Sequence, residues 1–265
     1  MPMNKVVHAA QRAAFSAAID VAINAVRGKG TEKLSENAVK LVNLAEPLLK
    51  DRYPASAFDA ARKFVSDPNG KWMQYAYRAI NEIDPHVLKM NALNLVYEGM
   101  FSGYNYVCEL RKKYDCNMPW ILLFDPTSAC NLHCKGCWAA EYGNRLNLSF
   151  EDMDKIVTQG KELGVYLYML TGGEPLVRKK DVLKLAEKHN DVQFAIYTNS
   201  TLIDEPFCQE VQRLGNIAFM LSIEGTPETN DARRGEGHYA AVMRAMDLLK
   251  EHGIVFGTSI CYTRD

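Results

Sequence analysis

Five short apolar runs, separated by stretches of helical spacing, occupy the second half of this 265-residue chain. The runs lie at 120–124, 165–170, 192–197, 217–223 and 254–261, and the helical stretches lie near 150–163, 181–189, 204–214 and 239–252. A continuous apolar run indicates a strand that is buried on both faces, as in a parallel sheet. Repeated strand–helix alternation therefore predicts an α/β fold with a parallel sheet, either open or closed into a barrel.

The first half of the chain has a different period. Apolar residues recur at spacings of three and four in stretches near 15–26, 34–45, 72–83 and 88–99. This spacing predicts amphipathic helices, and Asp–Pro pairs at 67–68 and 84–85 predict breaks, because the residue before a proline avoids the helical region. We therefore expect an all-helical domain over 1–118, followed by a parallel (β/α) core over 119–265.

The end of the sequence bears on whether a barrel could close. The last apolar run stops at Cys261, close to the end of the chain. A closing barrel would need at least one more strand with its helix. We therefore expect a partial barrel whose core is truncated at its C-terminal end.

Composition narrows the classes of function. The formal net charge is −1, whereas a nucleic-acid binder normally carries a basic excess, so we expect no nucleic-acid partner. No apolar run reaches the roughly 18 residues of a transmembrane helix. Seven cysteines, an odd number, without a secretory signal predict a reducing, cytoplasmic location. The helical half carries a small positive excess, which leaves peripheral contact with a lipid surface open.

Three of the cysteines are crowded into one short stretch, Cys130-Asn-Leu-His-Cys134-Lys-Gly-Cys137, directly after the first predicted strand. Three thiolates on one loop can ligate three irons of a cubane cluster and leave the fourth iron open for chemistry. A structural zinc site is the alternative, but zinc requires four ligands, and only His133 and distant cysteines could complete the set. The spacing alone keeps both interpretations open.

The other cysteines and the aromatic residues of the helical half show no comparable pattern. We expect the remaining cysteines to be structural. We also expect five aromatic residues to belong to a helix core and not to a substrate site: Trp72, Tyr75, Tyr77, Tyr104 and Tyr106. The remaining cysteines are Cys108, Cys116, Cys208 and Cys261.

Polar residues and glycines follow the later strands. Gly172, Gly173 and Glu174 follow the second strand, and consecutive glycines there can bring backbone close to a ligand or simply form a tight turn. Polar side chains at the carboxyl ends of neighbouring parallel strands line one mouth, although each could instead be a helix cap or a turn former. These residues are Thr198 and Asn199 after the third strand, and Ser222 and Glu224 after the fourth.

Taken together, these segments resemble the radical S-adenosylmethionine (SAM) superfamily. The resemblance covers about 118–265 and rests on the three-cysteine loop, the Gly-Gly-Glu segment and the Arg234-Gly235 pair. It implies a partial parallel (β/α) barrel of radical SAM type, preceded here by an all-helical domain. It also implies that Cys130, Cys134 and Cys137 hold a [4Fe–4S] cluster.

The resemblance assigns further residues to SAM. The methionine ammonium of SAM is assigned to the Gly-Gly-Glu segment, and the carboxylate of SAM is assigned to Arg234. The remaining strand-end residues are expected to lie around the ribose and methionine groups. The assigned residues are Gly172, Gly173, Glu174, Thr198, Asn199, Ser222, Glu224 and Arg234. The family usually places an aromatic residue just before the third cysteine. Here Gly136 stands at that position and Trp138 follows the cysteine, so Trp138 is the candidate to contact the adenine.

The implied activity is reductive cleavage of SAM to a 5′-deoxyadenosyl radical that abstracts a hydrogen from a substrate. An oxygen-sensitive enzyme of this kind would take electrons from a flavodoxin or ferredoxin. The substrate is expected to be a peptide or protein, or a lipid chain, and the sequence assigns no catalytic residue. A zinc-stabilised binding module without turnover is the alternative function.

Overall fold

Helices form the amino-terminal part of the chain in this computed structural model, which describes residues 5–51, 53–139, 143 and 145–262. The helices are α1 (Lys5–Val26), α2 (Thr31–Leu49), α3 (Ala55–Val65), α4 (Lys71–Glu82), α5 (Pro85–Asn91), a π-helix (Ala92–Ser102) and α6 (Gly103–Tyr114). The four predicted helical stretches are confirmed. Helices α3 and α6 were not predicted, and the stretch near 88–99 divides between α5 and the π-helix.

The helix-core prediction was wrong for Trp72, Tyr75 and Tyr104, because they are 56%, 64% and 50% exposed. Helix α4 packs through a stripe that includes the buried Met73, with Ala76 and Ile80 against the same cluster. Trp72 and Tyr75 lie outside this stripe and contact each other edge to face, with ring centroids 6.2 Å apart. The helical period was read correctly, but the buried face was not.

The rest of the chain alternates strands with helices. The strands are β1 (Leu122–Phe124), β2 (Leu167–Leu170), β3 (Gln193–Thr198), β4 (Ile217–Ser222) and β5 (Phe256–Ser259), in the order β1-β2-β3-β4-β5 with every neighbouring pair parallel. The helices are α7 (Phe150–Glu162), a 3-10 helix (Pro175–Arg178), α8 (Lys179–Lys188), α9 (Glu205–Leu214), α10 (Pro227–Arg234) and α11 (His238–Glu251). The predicted α/β fold with a parallel sheet is confirmed.

The two faces of the sheet differ, since successive strand residues point to opposite sides. On one face, fully buried residues such as Tyr168, Phe194 and Phe219 belong to a core that includes Met153 of α7 and Val182 of α8. The alternate strand residues are mostly only partly buried. None of the residues in the five described strands carries a charge. The less buried face is therefore an uncharged inner surface.

The amino-terminal helices pack against the loops that lead into the strands. Asp84 N–H donates to the Gly253 carbonyl at 2.9 Å, just before β5. The Asn91 side chain donates to the Gly215 carbonyl at 3.1 Å, just before β4. The Asn94 side chain donates at 2.9 Å to the carbonyl of the residue before β3. The helices therefore cover the amino-terminal end of the sheet, which we call the closed end.

A glycine permits the first of these contacts, between Asp84 and Gly253. Gly253 has φ +61°, and a Cβ there would lie 2.4 Å from the backbone nitrogen of Asp84. Real Cβ atoms do not approach backbone so closely, and φ in this range disfavours other residues. The glycine therefore fixes how closely the helical segment approaches the sheet.

The closed end also contains a buried carboxylate. Glu98 of the π-helix is fully buried and accepts hydrogen bonds from Arg12 Nε and His8 Nε2, both at 2.8 Å. Arg12 donates to the side chain of Asn94 at 2.9 Å as well. These bonds join α1 to the π-helix, and Asn94 joins both to the sheet.

The change from helix to strand falls between Tyr114 and Leu122. The division into separate domains at 118 and 119 stays a prediction. No helix in the described part of the chain combines the length and apolar character needed to cross a bilayer.

Candidate active site

Cys130, Cys134 and Cys137 lie on the loop between β1 and α7, and each side chain is partly exposed. The Leu132 N–H points to Cys130 Sγ at 3.5 Å, and the Cys137 N–H donates to the Cys134 carbonyl at 3.2 Å. The backbone thus turns around the sulfur atoms. All three cysteines lie at the carboxyl end of the sheet, which we call the mouth.

The base of this cysteine loop is closed by hydrogen bonds. Thr127 forms an isolated antiparallel bridge with Asn147, and their side chains hydrogen-bond at 2.6 Å. The Ser128 N–H donates to the Leu146 carbonyl at 2.8 Å. Hydrogen bonds therefore join the two ends of the loop.

The surroundings of the loop favour the protonated thiols, with Arg234 acting in the opposite direction at one of them. Burial raises the pKa of Cys130, and the nearby Glu174 and the other two thiols raise it further. Burial also raises the pKa of Cys134, whereas Arg234, whose Nη1 lies 4.0 Å from its Sγ, acts in the opposite direction. Ligands must be deprotonated before they bind iron, and the arginine favours that form at Cys134.

A structural zinc site requires four ligands, and this loop supplies three cysteines. Among the residues that the structure describes, no three or more His, Cys, Asp or Glu side chains are placed to hold a single metal ion. A cubane cluster instead takes one thiolate at each of three irons. Three partly exposed, electrostatically coupled thiols on one closed loop fit such a cluster with one iron left open.

The Gly-Gly-Glu segment packs directly against the cysteine loop. The Gly173 N–H donates to the Thr127 carbonyl at 2.9 Å, and the Glu174 N–H donates to the Ala129 carbonyl at 2.7 Å. A Cβ on Gly173 would lie 2.2 Å from the Ala129 carbonyl oxygen. The close approach that the glycine allows is thus to the loop that carries Cys130.

Glu174 connects two strand ends. Its side chain is 1% exposed, and its carboxylate accepts hydrogen bonds from Thr198 Oγ1 and Asn199 N–H at 2.7 Å and from Leu176 N–H at 3.0 Å. Burial raises the pKa of Glu174, and these donors partly offset the effect. Because every partner donates, the ionised carboxylate satisfies the arrangement.

Asn199 continues the connection to the cysteine loop. Its side-chain amide donates to Asn131 Oδ1 at 2.8 Å and lies 3.9 Å from Cys130 Sγ. The structure thus brings Glu174, Thr198 and Asn199 together beside Cys130, as the sequence predicted for a shared mouth.

Arg234 and Glu224 form a second group in the mouth. Arg234 donates to both carboxylate oxygens of Glu224, from Nη2 at 2.8 Å and from Nε at 2.5 Å. Only 14% of the Arg234 side chain and 8% of the Glu224 side chain are exposed. The Lys135 N–H donates to the Arg233 carbonyl at 2.8 Å, which fixes the end of α10 against the cysteine loop. The pair therefore lies beside Cys134.

Ser222 stands apart from these contacts. It is the last residue of β4 and pairs with Ser259 of β5 in the register of the sheet. Among the described residues, no side-chain hydrogen bond of Ser222 joins it to the other candidates.

Trp138 lines a cavity with the glycines. The cavity has a volume of about 460 Å³, and its lining includes Trp138, Gly172 and Gly173, together with Asp125 and Leu146. The Trp138 side chain is 59% exposed. Gly136 has φ +69°, a conformation that an aromatic residue avoids. The residue before the third cysteine therefore adopts a backbone conformation that suits glycine.

Two buried residues of the mouth were missed by sequence reasoning. Asn230 and His238 are 0% and 3% exposed and hydrogen-bond to each other at 3.0 Å. His238 also contacts the Asn199 carbonyl at 2.9 Å. The signal that could have found them is the Gly-Glu-Gly-His stretch after Arg234, which returns the chain to the mouth.

Comparison with known proteins agrees with this geometry. The family model of the Radical SAM superfamily matches residues 124–263. The Fe-coproporphyrin III synthase of Methanosarcina barkeri is 31% identical over 144 residues, covering 52% of this chain and 35% of that protein. The serine-type anaerobic sulfatase-maturating enzyme of Bacteroides thetaiotaomicron is 29% identical over 157 residues, covering 51% and 38%. The chain thus spans little more than a third of the length of these relatives.

A solved structure shows the same fold. The Streptococcus suis protein SuiB bound to S-adenosylmethionine superposes with a TM-score of 0.53 at 18% identity, covering 84% of this chain and 47% of that one. Members of the matched superfamily are enzymes whose cofactors are a [4Fe–4S] cluster and SAM. The family match covers more than half of the chain and includes the cysteine loop, the Gly-Gly-Glu segment and Arg234. This chain belongs to the radical SAM superfamily.

Proposed function

We propose that this chain forms the cofactor-binding part of a radical SAM enzyme that modifies a peptide or protein. The observation that carries the proposal is the convergence of two buried polar groups, around Glu174 and around Arg234, on one three-cysteine loop. Such a convergence suits a small charged molecule bound beside the sulfur atoms.

The roles of the residues follow from their contacts. Cys130, Cys134 and Cys137 would hold the cluster. When bound, the cluster would supply the electron that cleaves a carbon–sulfur bond of SAM. The products would be methionine and a 5′-deoxyadenosyl radical, and the radical would take a hydrogen atom from the substrate. The chain orients SAM and keeps competing donors, water among them, away from the radical. A flavodoxin or ferredoxin is the proposed electron donor.

The two charged ends of the SAM methionine group need opposite partners. Arg234 donates two of its five N–H groups to Glu224, so others remain for a carboxylate. Glu174 accepts three hydrogen bonds from the protein, and a carboxylate has about four acceptor sites. We therefore assign Glu174 chiefly to linking the segment after β2 to Thr198 and Asn199 after β3, with one acceptor site left for the ammonium group.

The relatives and the inner surface support a peptide substrate. The sulfatase-maturating enzyme is by its name a protein-modifying relative. The uncharged inner surface of the sheet suits an uncharged side chain as the reacting group. The relatives named above give no support to a lipid substrate.

A second candidate rests on one observation. The Fe-coproporphyrin III synthase is 31% identical to this chain, so a tetrapyrrole is the alternative substrate. Its carboxylates would need cationic partners, and none of the residues in the five described strands is charged.

The test begins with anaerobic reconstitution. We expect iron and sulfide in near-equal amounts and slow release of 5′-deoxyadenosine from SAM after dithionite is added. Zinc in place of iron, or no 5′-deoxyadenosine, would overturn the proposal. A pool of synthetic peptides and Fe-coproporphyrin III then serve as substrate probes. Faster release with a mass change in a peptide supports peptide modification, whereas acceleration by the porphyrin alone supports the second candidate.

A further inference from the structure

A buried hydrogen-bond chain crosses the mouth through residues that have no assigned role. The Glu224 N–H donates to Asn230 Oδ1 at 3.1 Å. Asn230 Nδ2 and His238 Nδ1 lie 3.0 Å apart, and His238 Nε2 lies 2.9 Å from the Asn199 carbonyl oxygen. All four residues are at least nine-tenths buried.

The partners fix the direction of every bond in this chain. A backbone carbonyl can only accept, so His238 Nε2 carries the hydrogen that faces Asn199. Asn230 accepts from a backbone N–H through its oxygen, so its amide nitrogen faces His238. In a neutral imidazole with hydrogen on Nε2, Nδ1 is an acceptor, which matches the amide donor. The neutral Nε2–H tautomer therefore satisfies all three bonds.

Each end of the chain meets one of the two buried groups of the site. At one end, the Asn199 N–H donates to Glu174 at 2.7 Å, and the Asn199 amide lies beside Cys130. At the other end, Glu224 holds Arg234 through two hydrogen bonds. His238 and Asn230 thus link the groups that we assign to the two charged ends of SAM.

The turn that carries His238 is itself held in place. Asp231 accepts from Gly237 N–H at 2.7 Å and from Tyr239 N–H at 2.8 Å, on either side of His238. The Asn230 amide donates to the same carboxylate at 2.9 Å. His238 therefore enters the mouth from the first residue of α11 in a fixed position.

We propose that His238, as the neutral Nε2–H tautomer, is a positioning residue of the SAM site that sets the separation between Asn199 and the Glu224–Arg234 pair. The inference rests on the proposed function, because it assumes that SAM binds at this mouth. It adds that SAM affinity depends on two residues that are not assigned to contact the cofactor.

Burial favours the neutral form of His238. Burial lowers the pKa of His238, and Arg234 lowers it further, whereas the hydrogen bond to Asn199 and the charges of Glu224 and Asp231 act in the opposite direction. Protonation would place a hydrogen on Nδ1, facing the Asn230 amide donor. The hydrogen-bond geometry and the burial of His238 both favour the neutral imidazole.

Two amide substitutions separate the two sides of the imidazole. In His238→Gln the amide nitrogen reaches the place of Nε2, so the bond to Asn199 can persist. In His238→Asn the shorter amide reaches only the place of Nδ1. Loss of a buried hydrogen bond with its partner left unpaired predicts at least about a tenfold weaker SAM affinity for His238→Asn. For His238→Gln we expect affinity within about threefold of wild type.

The measurement is equilibrium binding of radiolabelled SAM to the reconstituted protein, with iron content and thermal unfolding followed in parallel. Val242→Ala is the matched control, because Val242 is fully buried on the same helix but packs in the core behind the sheet. It should lower the unfolding temperature and leave SAM affinity unchanged.

The outcomes are distinct. Equal SAM affinity in wild type, His238→Asn and His238→Gln would overturn the inference, as would a loss in Val242→Ala that matches the loss in His238→Asn. Wild-type protein that holds iron but binds no SAM would instead overturn the proposed function. Should His238→Asn lose its iron, Asn230→Asp provides a second test, because it breaks the bond at Nδ1 and keeps the bond from His238 Nε2 to Asn199. Its SAM affinity should match that of His238→Gln, and a loss of about tenfold or more would contradict the inference.

Discussion

Glu98 at the closed end and Glu224 at the mouth are both buried carboxylates that accept hydrogen bonds from an arginine. At the closed end, the partners of Glu98 are Arg12 and His8, and the group joins helices to one another and to the sheet. At the mouth, Arg234 also approaches the sulfur of Cys134, which is partly exposed.

The comparison shows that a buried ion pair alone does not identify a functional site. Buried charged pairs contribute to many folds and are weak indicators of stability or function by themselves. The mouth differs because its two buried polar groups, around Glu174 and around Arg234, both lie beside the cysteine loop. The predictions that follow test this distinction between the two ends, starting from the largest expected effect.

Removal of any cysteine of the loop should abolish the site. We expect Cys130→Ala, Cys134→Ala and Cys137→Ala each to lose most of the iron and all SAM cleavage, because a three-point chelate fails without one ligand. Cys108→Ala, in α6, should keep both. Iron content and 5′-deoxyadenosine release are the measurements, and unchanged iron in Cys134→Ala would contradict the assignment.

Adding one methyl group to a glycine should have different consequences at the two ends. In Gly173→Ala the Cβ would meet the Ala129 carbonyl, so the cysteine loop must shift, and we expect loss of most iron. In Gly253→Ala the clash falls on Asp84, so we expect about 1–3 kcal/mol less stability from backbone strain. Iron per folded molecule should stay at the wild-type level.

Urea unfolding and iron analysis of both glycine variants test whether one loses iron and the other only stability. If Gly253→Ala lost iron as Gly173→Ala does, the closed end would be coupled to the cofactor site. The distinction between the two ends would then be wrong.

The two buried glutamates offer a matched pair. Glu174→Ala removes the link between the second and third strand ends and one charge beside the ammonium site. A charged hydrogen bond of roughly 1.5–3 kcal/mol corresponds to about ten- to hundredfold weaker SAM affinity, with iron retained. Glu98→Ala leaves Arg12 without its carboxylate, and breaking such a pair costs about 3–5 kcal/mol of stability.

SAM binding and chemical unfolding should therefore separate the two glutamate variants. Unaltered SAM affinity in Glu174→Ala would show that this residue only shapes a turn. Reduced affinity in the folded fraction of Glu98→Ala would show that the π-helix acts on the mouth.

The smallest expected effect concerns pH. Burial lowers the pKa of both His238 and His189 below 6.5, so the unfolded chain binds more protons near pH 6. The stability that their neutral forms contribute is present above pH 6.5 and is lost as pH falls through the folded pKa values. Each histidine accounts for at most about 1.4 kcal/mol per pH unit in that window.

Urea unfolding at pH 7.0 and 5.5 measures this loss. His238→Gln should lose less free energy of unfolding between the two pH values than wild type. An equal loss in both proteins would show that His238 does not titrate in this range.

The sequence predicted the repeating elements well, because their period is written in neighbouring residues. Each predicted strand appears, although β1 begins at Leu122 and β5 at Phe256, later than the apolar runs. Runs of apolar residues mark buried chain, but the ladder of hydrogen bonds decides where a strand begins. Trp72 was misplaced because its helix has aromatic residues on more than one side.

The candidate site was predictable where its residues stand at strand ends. The structure brings together four predicted residues of the mouth. Glu174, Asn199 and Glu224 follow strands, and Arg234 is the last residue of α10. His238 could not be found in this way, since its role depends on a turn that Asp231 holds. A contact between residues 39 apart in the chain leaves no periodic signal.

The hydrogen bonds that join Ser128 to Leu146 and Thr127 to Asn147 have a consequence for cofactor assembly. Joining the ends of a flexible loop costs conformational entropy, and here folding of the chain has already met that cost. Many small zinc domains, in contrast, fold only when metal arrives. We therefore expect iron and sulfide to bind to a cysteine loop that closes when the chain folds. Amide exchange in β2, β3 and β4 should then be slow before any metal is added.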